Sequence, residues 1–413
     1  MFKNIIPSPG PVRTLAISQM INCIGEGAYY VCVTLFFTQI VGFTPAELGI
    51  GLTISWIVAL LVGVPVGHFV DRFGPRRMAV LLAIGASLAI FSYLFIHSIS
   101  LFVIAACIYT TCSRGVSAAR SALVARAVDT EKISEAKGYI QSSFNLGLSV
   151  GAALGGIALM LGTKSAYWAI LSLDALSILV AAWLILKQMP EVRTENHSTE
   201  KGKLTVLRDK PYFLISIINA ILMLHIPLID VALPLWILNH TEAPAWIVAV
   251  LFIFNTLSVV FFMKYFSSGV TNMTSAIRYV SIAGVLLFFS CLIFSVSEGK
   301  SVLWSVILLL LAALVQVVGE MIQFSGTWQI SFGLAPQDKQ GEYQSFFGSG
   351  LTIAEMIGPF LLTNLVVYQG MVGWICLGVA FVVAGFAMGP AVRWAERANR
   401  PFNNIEQLDH TVN

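Results

Sequence analysis

Among the ionisable side chains inside apolar stretches, where charge is expensive, five could carry chemistry: Glu26, Arg114, Asp230, Glu320 and Glu355. Glu26 is about 20 Å along a helix from Arg13, at about 1.5 Å per residue, and so near the middle of a membrane span. Gln19, Asn22, Glu26 and Tyr29 recur at spacings of three, four and three, which makes one polar stripe on a helix. A stripe of that kind faces water or a partner helix, and a carboxylate on it can carry a proton. Arg114 shares a face with Thr111 and Ser121 and is the expected counter-charge, whereas Arg120 lies on another face and is expected to snorkel to the interface. Further on, Gln316, Glu320, Gln323 and Thr327 form one stripe, and Asn219, Met223 and Asp230 share a face interrupted by Pro227 and Pro234. The expected proton-coupling groups are therefore Glu26, Arg114, Glu320, Glu355 and Asp230. Gln19, Asn22, Tyr29, Gln316, Gln323 and Asn219 are expected to line a substrate cavity. His225 reads as a hydrogen-bonded bundle histidine, and Asp174 as half of a structural pair.

Other chemistries lack their residues. There is no His-x-x-x-His ligand spacing, no Gly-x-Ser-x-Gly nucleophile motif and no Gly-x-x-x-x-Gly-Lys-Ser/Thr phosphate loop, so neither hydrolysis nor ATP hydrolysis is expected. The six cysteines, Cys23, Cys32, Cys107, Cys112, Cys291 and Cys376, all fall in apolar runs without a CxxC pair, implying neither disulfides nor zinc. No cofactor and no metal is expected, and a net charge of +3 gives no reason to expect nucleic-acid binding.

The elements that must position these groups are membrane helices. Of 413 residues, 57% are hydrophobic and 11% charged, against about 25% charged in soluble domains. Twelve apolar runs are long enough to span a bilayer, at about 14–40, 46–70, 77–97, 101–125, 136–161, 166–187, 211–238, 244–266, 276–297, 301–331, 343–368 and 371–394. With the N-terminus inside, the odd-numbered loops hold only Lys164 and Lys300 as basic residues, so both termini are expected in the cytoplasm. The N-terminus has no signal-peptide pattern, and the first span is expected to stay as an anchor. The polar, mixed-charge segment 188–210 reads as a flexible cytoplasmic linker between bundles at 1–187 and 211–394, with a tail at 395–413. The halves repeat weakly: Lys137-Gly138-Tyr139-Ile140-Gln141-Ser142 enters span 5, and Gly341-Glu342-Tyr343-Gln344-Ser345 enters span 11.

Two local patterns carry a family likeness. Between spans 2 and 3 the chain reads Gly67-His68-Phe69-Val70-Asp71-Arg72-Phe73-Gly74-Pro75-Arg76-Arg77. With Gly67, Asp71, Arg72, Gly74, Arg76 and Arg77 in place, it resembles the signature loop of the major facilitator superfamily, with Pro75 where a basic residue is usual. Span 5 carries Gly147, Gly151, Gly155 and Gly156 at spacings that make a flat packing face. It resembles the superfamily's exporter motif with Ala152 in place of proline. The resemblance implies an all-α membrane protein, twelve helices in two pseudo-symmetric six-helix bundles rocking about a central cavity, with Asp71 docking on the N-terminus of span 11. The branch it resembles is that of the drug/proton antiporters and macrolide-efflux-type exporters. This implies a monomer in the cell inner (plasma) membrane, bound by lipids, exchanging protons for lipophilic neutral or cationic small molecules. An uptake symporter, a lipid flippase and a non-transporting sensor or scaffold are the alternatives.

Overall fold

Several helices begin where the sequence supplies a side-chain partner for their first amides, as at Thr44, Thr163, Asp209 and Asn272. Thr44 and Glu47 form a capping box: the Glu47 amide donates to Thr44 Oγ1 at 3.3 Å and the Thr44 amide to Glu47 Oε2 at 2.9 Å. Asp209 accepts from the Tyr212 amide at 3.0 Å, with Pro211 in the first turn. Gly74, at φ +91°, makes the corner between the second and third helices, and Pro75 opens the next one.

The computed structural model describes residues 9–189, 205–244 and 246–409. Among them twelve helices are long and apolar enough to cross a membrane: α1 (Pro11–Val41), α2 (Glu47–Phe73), α3 (Pro75–Phe95), α4 (Ile99–Ala127), α5 (Thr130–Leu161), α6 (Lys164–Gln188), α7 (Lys210–His240), α8 (Trp246–Ser267), α9 (Met273–Val296), α10 (Val302–Leu334), α11 (Gln337–Val367) and α12 (Met371–Ala398). All twelve expected spans are present, and there is no strand among the described residues. Most of the expected linker, 190–204, lies outside the described residues. Three helices change gauge to π-turns, at Phe36–Val41 in α1, Leu228–Ala232 in α7 and Thr363–Val367 in α11.

Two compact units result. The first comprises Met1–Leu204 with Ser258–Tyr265 and Pro336–Phe346, and the second comprises Thr205–Leu257, Phe266–Ala335 and Phe347–Asn413. The ends of α8 and α11 thus group with the first six helices. There, Ser142 Oγ donates to Val259 O at 3.3 Å, and Lys264 lies 4.9 Å over the Tyr139 ring.

The first unit is built on the seam between α1 and α5. A Cβ on Gly147 would lie 3.0 Å from Cys23 Cβ, one on Gly151 2.9 Å from Ala28 N, and one on Gly155 2.9 Å from Ala28 O. Gly27 of α1 answers: its Cβ would lie 3.1 Å from Ala152 N. Backbones this close need glycine on the touching face. Gly156 does not belong to that face, since a Cβ there would meet nothing within 4 Å. It follows Gly155 by one residue, about 100° round the helix, and so points away from α1. One end of the unit is closed by rings: Phe37 lies 4.5 Å from Phe102, 5.2 Å from Tyr93 and 5.5 Å from Phe43. In the second unit α9 and α12 meet at Gly284 and Gly385, where Ser281 Oγ donates to Gly385 O at 3.2 Å.

Candidate functional site

The carboxylate of Glu26 is half-buried on α1 and holds three donors from its own helix. Tyr30 Oη donates to Oε1 at 2.9 Å, while Asn22 Nδ2 and Cys23 Sγ reach Oε2 at 3.4 and 3.7 Å. Gln19 Nε2 donates to Cys23 Sγ at 3.1 Å and so joins the same chain. Tyr29 does not. It is 3% exposed and packs into rings, 5.6 Å from Tyr109 and 6.4 Å from Tyr93.

Arg120 of α4 is the guanidinium that acts on Glu26 and on Cys23, and Lys137 of α5 lies within its field. Arg114 sits elsewhere, 5.6 Å over the Trp56 ring of α2. Glu26 thus lies in the field of Arg120. Packing decides it. A Cβ on Gly115 would lie 2.5 Å from Leu82 and 2.6 Å from Val66, so this face of α4 is pressed onto α3 and α2. Six residues on, Arg120 lies in the field of Cys23 and Glu26 of α1, and its Nε is buried rather than snorkelling to an interface.

Asp174 of α6 is wholly buried, and neither carboxylate oxygen has a hydrogen-bond partner among the described residues. The structural pair expected for it is not formed. Its neighbour across the α1–α6 contact is Gly25, whose Cβ would lie 2.7 Å from Asp174 Oδ1.

The turn between α2 and α3 is tied to the start of α11, within the first unit. Asp71 Oδ1 accepts from the Gly341 amide and Oδ2 from the Glu342 amide, each at 2.8 Å. Both oxygens are thus spent on first-turn amides, the positive end of a helix dipole, a geometry worth about 0.3–1 kcal/mol when exposed and more when partly buried. Gly67 permits the approach: a Cβ there would lie 2.8 Å from Gly341 C, and one on Gly341 2.7 Å from Gly67 O. Ser345 Oγ donates to Gly63 O at 2.6 Å, and His68 Nδ1 lies 3.3 Å from Glu342 Oε2. Of the loop's arginines, Arg72 lies 5.6 Å over Phe73, Arg76 donates to Leu186 O, and Arg77 is exposed.

In the second unit Gln323 Nε2 donates to Asn219 Oδ1 at 3.1 Å, and its Oε1 lies 3.4 Å from His225 Nε2. Gln316 Nε2 donates to His225 O at 3.4 Å. Gln316, Gln323 and Asn219 are all at most 2% exposed, so their polar atoms face one another inside the bundle. Asn255 Nδ2 donates to Glu320 Oε2 at 2.9 Å. Asp230 and Glu355 are exposed.

The profile of the Major Facilitator Superfamily matches residues 15–359. The chain belongs to the major facilitator superfamily. Solved structures of members agree in fold. A bacterial homologue of the iron transporter ferroportin, outward-facing, has a TM-score of 0.75 at 16% identity, covering 94% of this chain and 99% of that one. The human organic anion transporter MFSD10 (TETRAN) gives 0.69 at 14% identity, covering 91% and 98%. The transporter FucP in its outward conformation gives 0.68 at 13% identity, covering 93% and 98%. No curated protein matches the chain. This superfamily member is a multi-pass membrane transporter.

Sequence reasoning missed several members of these sites. Spacing sets Arg120 on a face of α4 apart from Arg114 but does not show that it stays buried, and Tyr30 stands four residues from Glu26, within reach on a helix. His68 and Glu342 carried a signal, being an imidazole inside the loop motif and a carboxylate in the repeated entry to α11.

Proposed function

We propose that this transporter is a proton-coupled exporter of lipophilic neutral or cationic small molecules, working by alternating access. The observation that supports the reading best is Glu26: a half-buried carboxylate in mid-helix, held by Tyr30 and faced by Arg120. A carboxylate so placed exchanges a proton for a cation when its access to water changes sides, and Arg120 steadies its charged form. Proton-driven accumulation of a cationic dye in inside-out vesicles tests the reading; dye flowing with the protons rather than against them would make the protein an uptake symporter instead. No partner subunit enters this scheme, which treats the protein as a monomer among lipids in the inner (plasma) membrane.

In this scheme Asp71 is a latch that closes the cytoplasmic side. Asp71→Asn keeps the shape but loses the charge and one of two acceptors. Charge-assisted bonds of this kind are worth roughly 1.5–3 kcal/mol each, so transport is expected to slow by about tenfold or more. Substrate affinity at equilibrium should stay within about twofold, because both Asp71 oxygens are taken up by the Gly341 and Glu342 amides. Wild-type transport by the variant would remove Asp71 from the gate.

The scheme also fixes orientation. The α4–α5 loop should be cytoplasmic and the α9–α10 loop external, following the bias of Lys and Arg. Single cysteines replacing Asp129 and Ser301, both exposed, report this through an impermeant thiol reagent. In intact cells only the Ser301→Cys protein should be labelled. The opposite pattern would invert the topology.

A further inference from the structure

His240, the last residue of α7, is held by three other pieces of the second unit. Its Nδ1 lies 3.0 Å from Glu298 Oε1, in the loop between α9 and α10. Its Nε2 lies 2.9 Å from the carbonyl oxygen of Val367, the last residue of the π-turn that ends α11. The backbone adds a bond of its own, since the Gly299 amide donates to His240 O at 3.2 Å. The ring lies flat on Trp236, with centroids 4.2 Å apart and planes inclined by 13°. Trp236 is fully buried: its Nε1 donates to Ser297 Oγ at 3.2 Å, and its ring meets Trp374 of α12 at 5.5 Å.

These partners select one form of the ring. A carbonyl oxygen and an ionised carboxylate only accept, and a neutral imidazole has a single N–H to give. Only the imidazolium, with a hydrogen on each nitrogen, makes both bonds. The face of an indole also attracts a cation laid on it. A neutral ring keeps one bond and turns a lone pair towards the other oxygen. Water reaches the pair, since the side chain of His240 is 24% exposed and that of Glu298 46%.

Glu298 is the one charged side chain that pairs with the ring among the described residues. Glu242 follows the end of α7 by two residues, Lys300 follows Glu298 by two, and Tyr368 follows Val367; all three are exposed. From α12 the cluster receives Trp374, which carries no charge.

We propose that His240 is a proton-operated clasp. As imidazolium it fastens the end of α7 both to the end of α11 and to the α9–α10 loop; on losing its proton it lets one of them go. Both helices have a place to give, because each carries a π-turn, at Leu228–Ala232 and Thr363–Val367, and helices kink at such turns. The α11 helix is thus held at its start by Asp71 and at its end by His240. The clasp is complete at low pH and loses one bond as pH rises through about 5 to 8, where imidazole changes charge. It rests on the proposed topology only for the side whose pH it senses, the external one, and not on the exporter reading.

The test uses full-length protein in lipid nanodiscs, with the cysteines that are not buried, Cys107, Cys112 and Cys376, replaced by serine. Spin labels on Asn239→Cys and Tyr368→Cys, both exposed, stand beside the two helix ends that the ring joins. Dipolar broadening of their frozen-state EPR spectrum should be strong at about pH 5.5 and fall by about half or more at about pH 8. His240→Gln, uncharged and able to reach only one partner as a donor, should show no such change. His240→Arg, charged throughout and able to stack on Trp236, should stay broadened at both pH values. Equal broadening of the labelled, otherwise native chain at the two pH values would overturn the clasp. So would a full pH response in His240→Gln, which would assign the change to another group, or a His240→Arg protein that loosens at about pH 8. A pH response that follows His240 in this way, alongside no proton-driven efflux in vesicles, would sink the exporter reading and leave the clasp standing.

Discussion

Proton-driven efflux of a cationic dye is expected to fall to background in Glu26→Gln. Glutamine preserves the length of the side chain and an acceptor for Tyr30 Oη, which bonds Glu26 at 2.9 Å, so the local packing of α1 should survive. What it removes is the exchangeable proton and the negative charge opposite Arg120. A carrier locked in one protonation state cannot link proton flow to substrate flow, although downhill movement of neutral compounds can persist. The check is proton release when substrate is added to the solubilised protein, compared among Glu26→Gln, Glu320→Gln and Glu355→Gln. Only the first should have lost it. Undiminished release from the Glu26 variant, with loss from either of the others, would move the carrier to the second half of the chain.

Gly151→Leu is expected to prevent assembly of the first unit altogether. Overpacking a well-filled interior costs typically about 1–3 kcal/mol through displaced side chains. Here the obstacle is the backbone of α1, since even a Cβ would lie 2.9 Å from Ala28 N, with Gly147 and Gly155 in the same contact on adjacent turns. Gly151→Ala should fold with a melting temperature lowered by several degrees. Gly156→Ala is the matched control. Its Cβ enters open space, and alanine is favoured over glycine in a helix by roughly 0.5–1 kcal/mol, so the melting temperature should hold or rise. Equal melting of Gly151→Ala and wild type would show that the α1–α5 seam carries little of the stability.

These two cases mark what the sequence made legible. Hydropathy located all twelve helices because a span must be apolar for its whole length, and only the ends were open to error. The register of Gly147, Gly151 and Gly155 was readable because a period of four residues is a property of one helix alone. Gly156 was swept in by adjacency, although one residue's rotation takes it off the seam. Partners across helices were not readable. Spacing put Arg114 and Arg120 on different faces of α4 but could not say which face meets α1, which is fixed by Gly115 against Leu82 and Val66. Gln316, Gln323 and Asn219 read as a wet stripe by composition, and the fold turns them onto one another and His225. Asp230 was misplaced for a different reason: its face was counted at 3.6 residues per turn through a segment that does not keep that pitch.

That change of pitch bears on how this chain is laid against its relatives. A π-turn is what a helix makes of one surplus residue it cannot push out at either end. The turns at Phe36–Val41, Leu228–Ala232 and Thr363–Val367 therefore each stand where a relative with a regular helix needs one residue fewer. An alignment that runs without a gap through Leu228–Ala232 would set Leu233–His240 one place out, about 100° round the axis, and match Trp236 and His240 to positions that point elsewhere. Single-residue gaps at these three turns, rather than in the loops where gaps are usually placed, are what superposition on a relative with regular helices there should require.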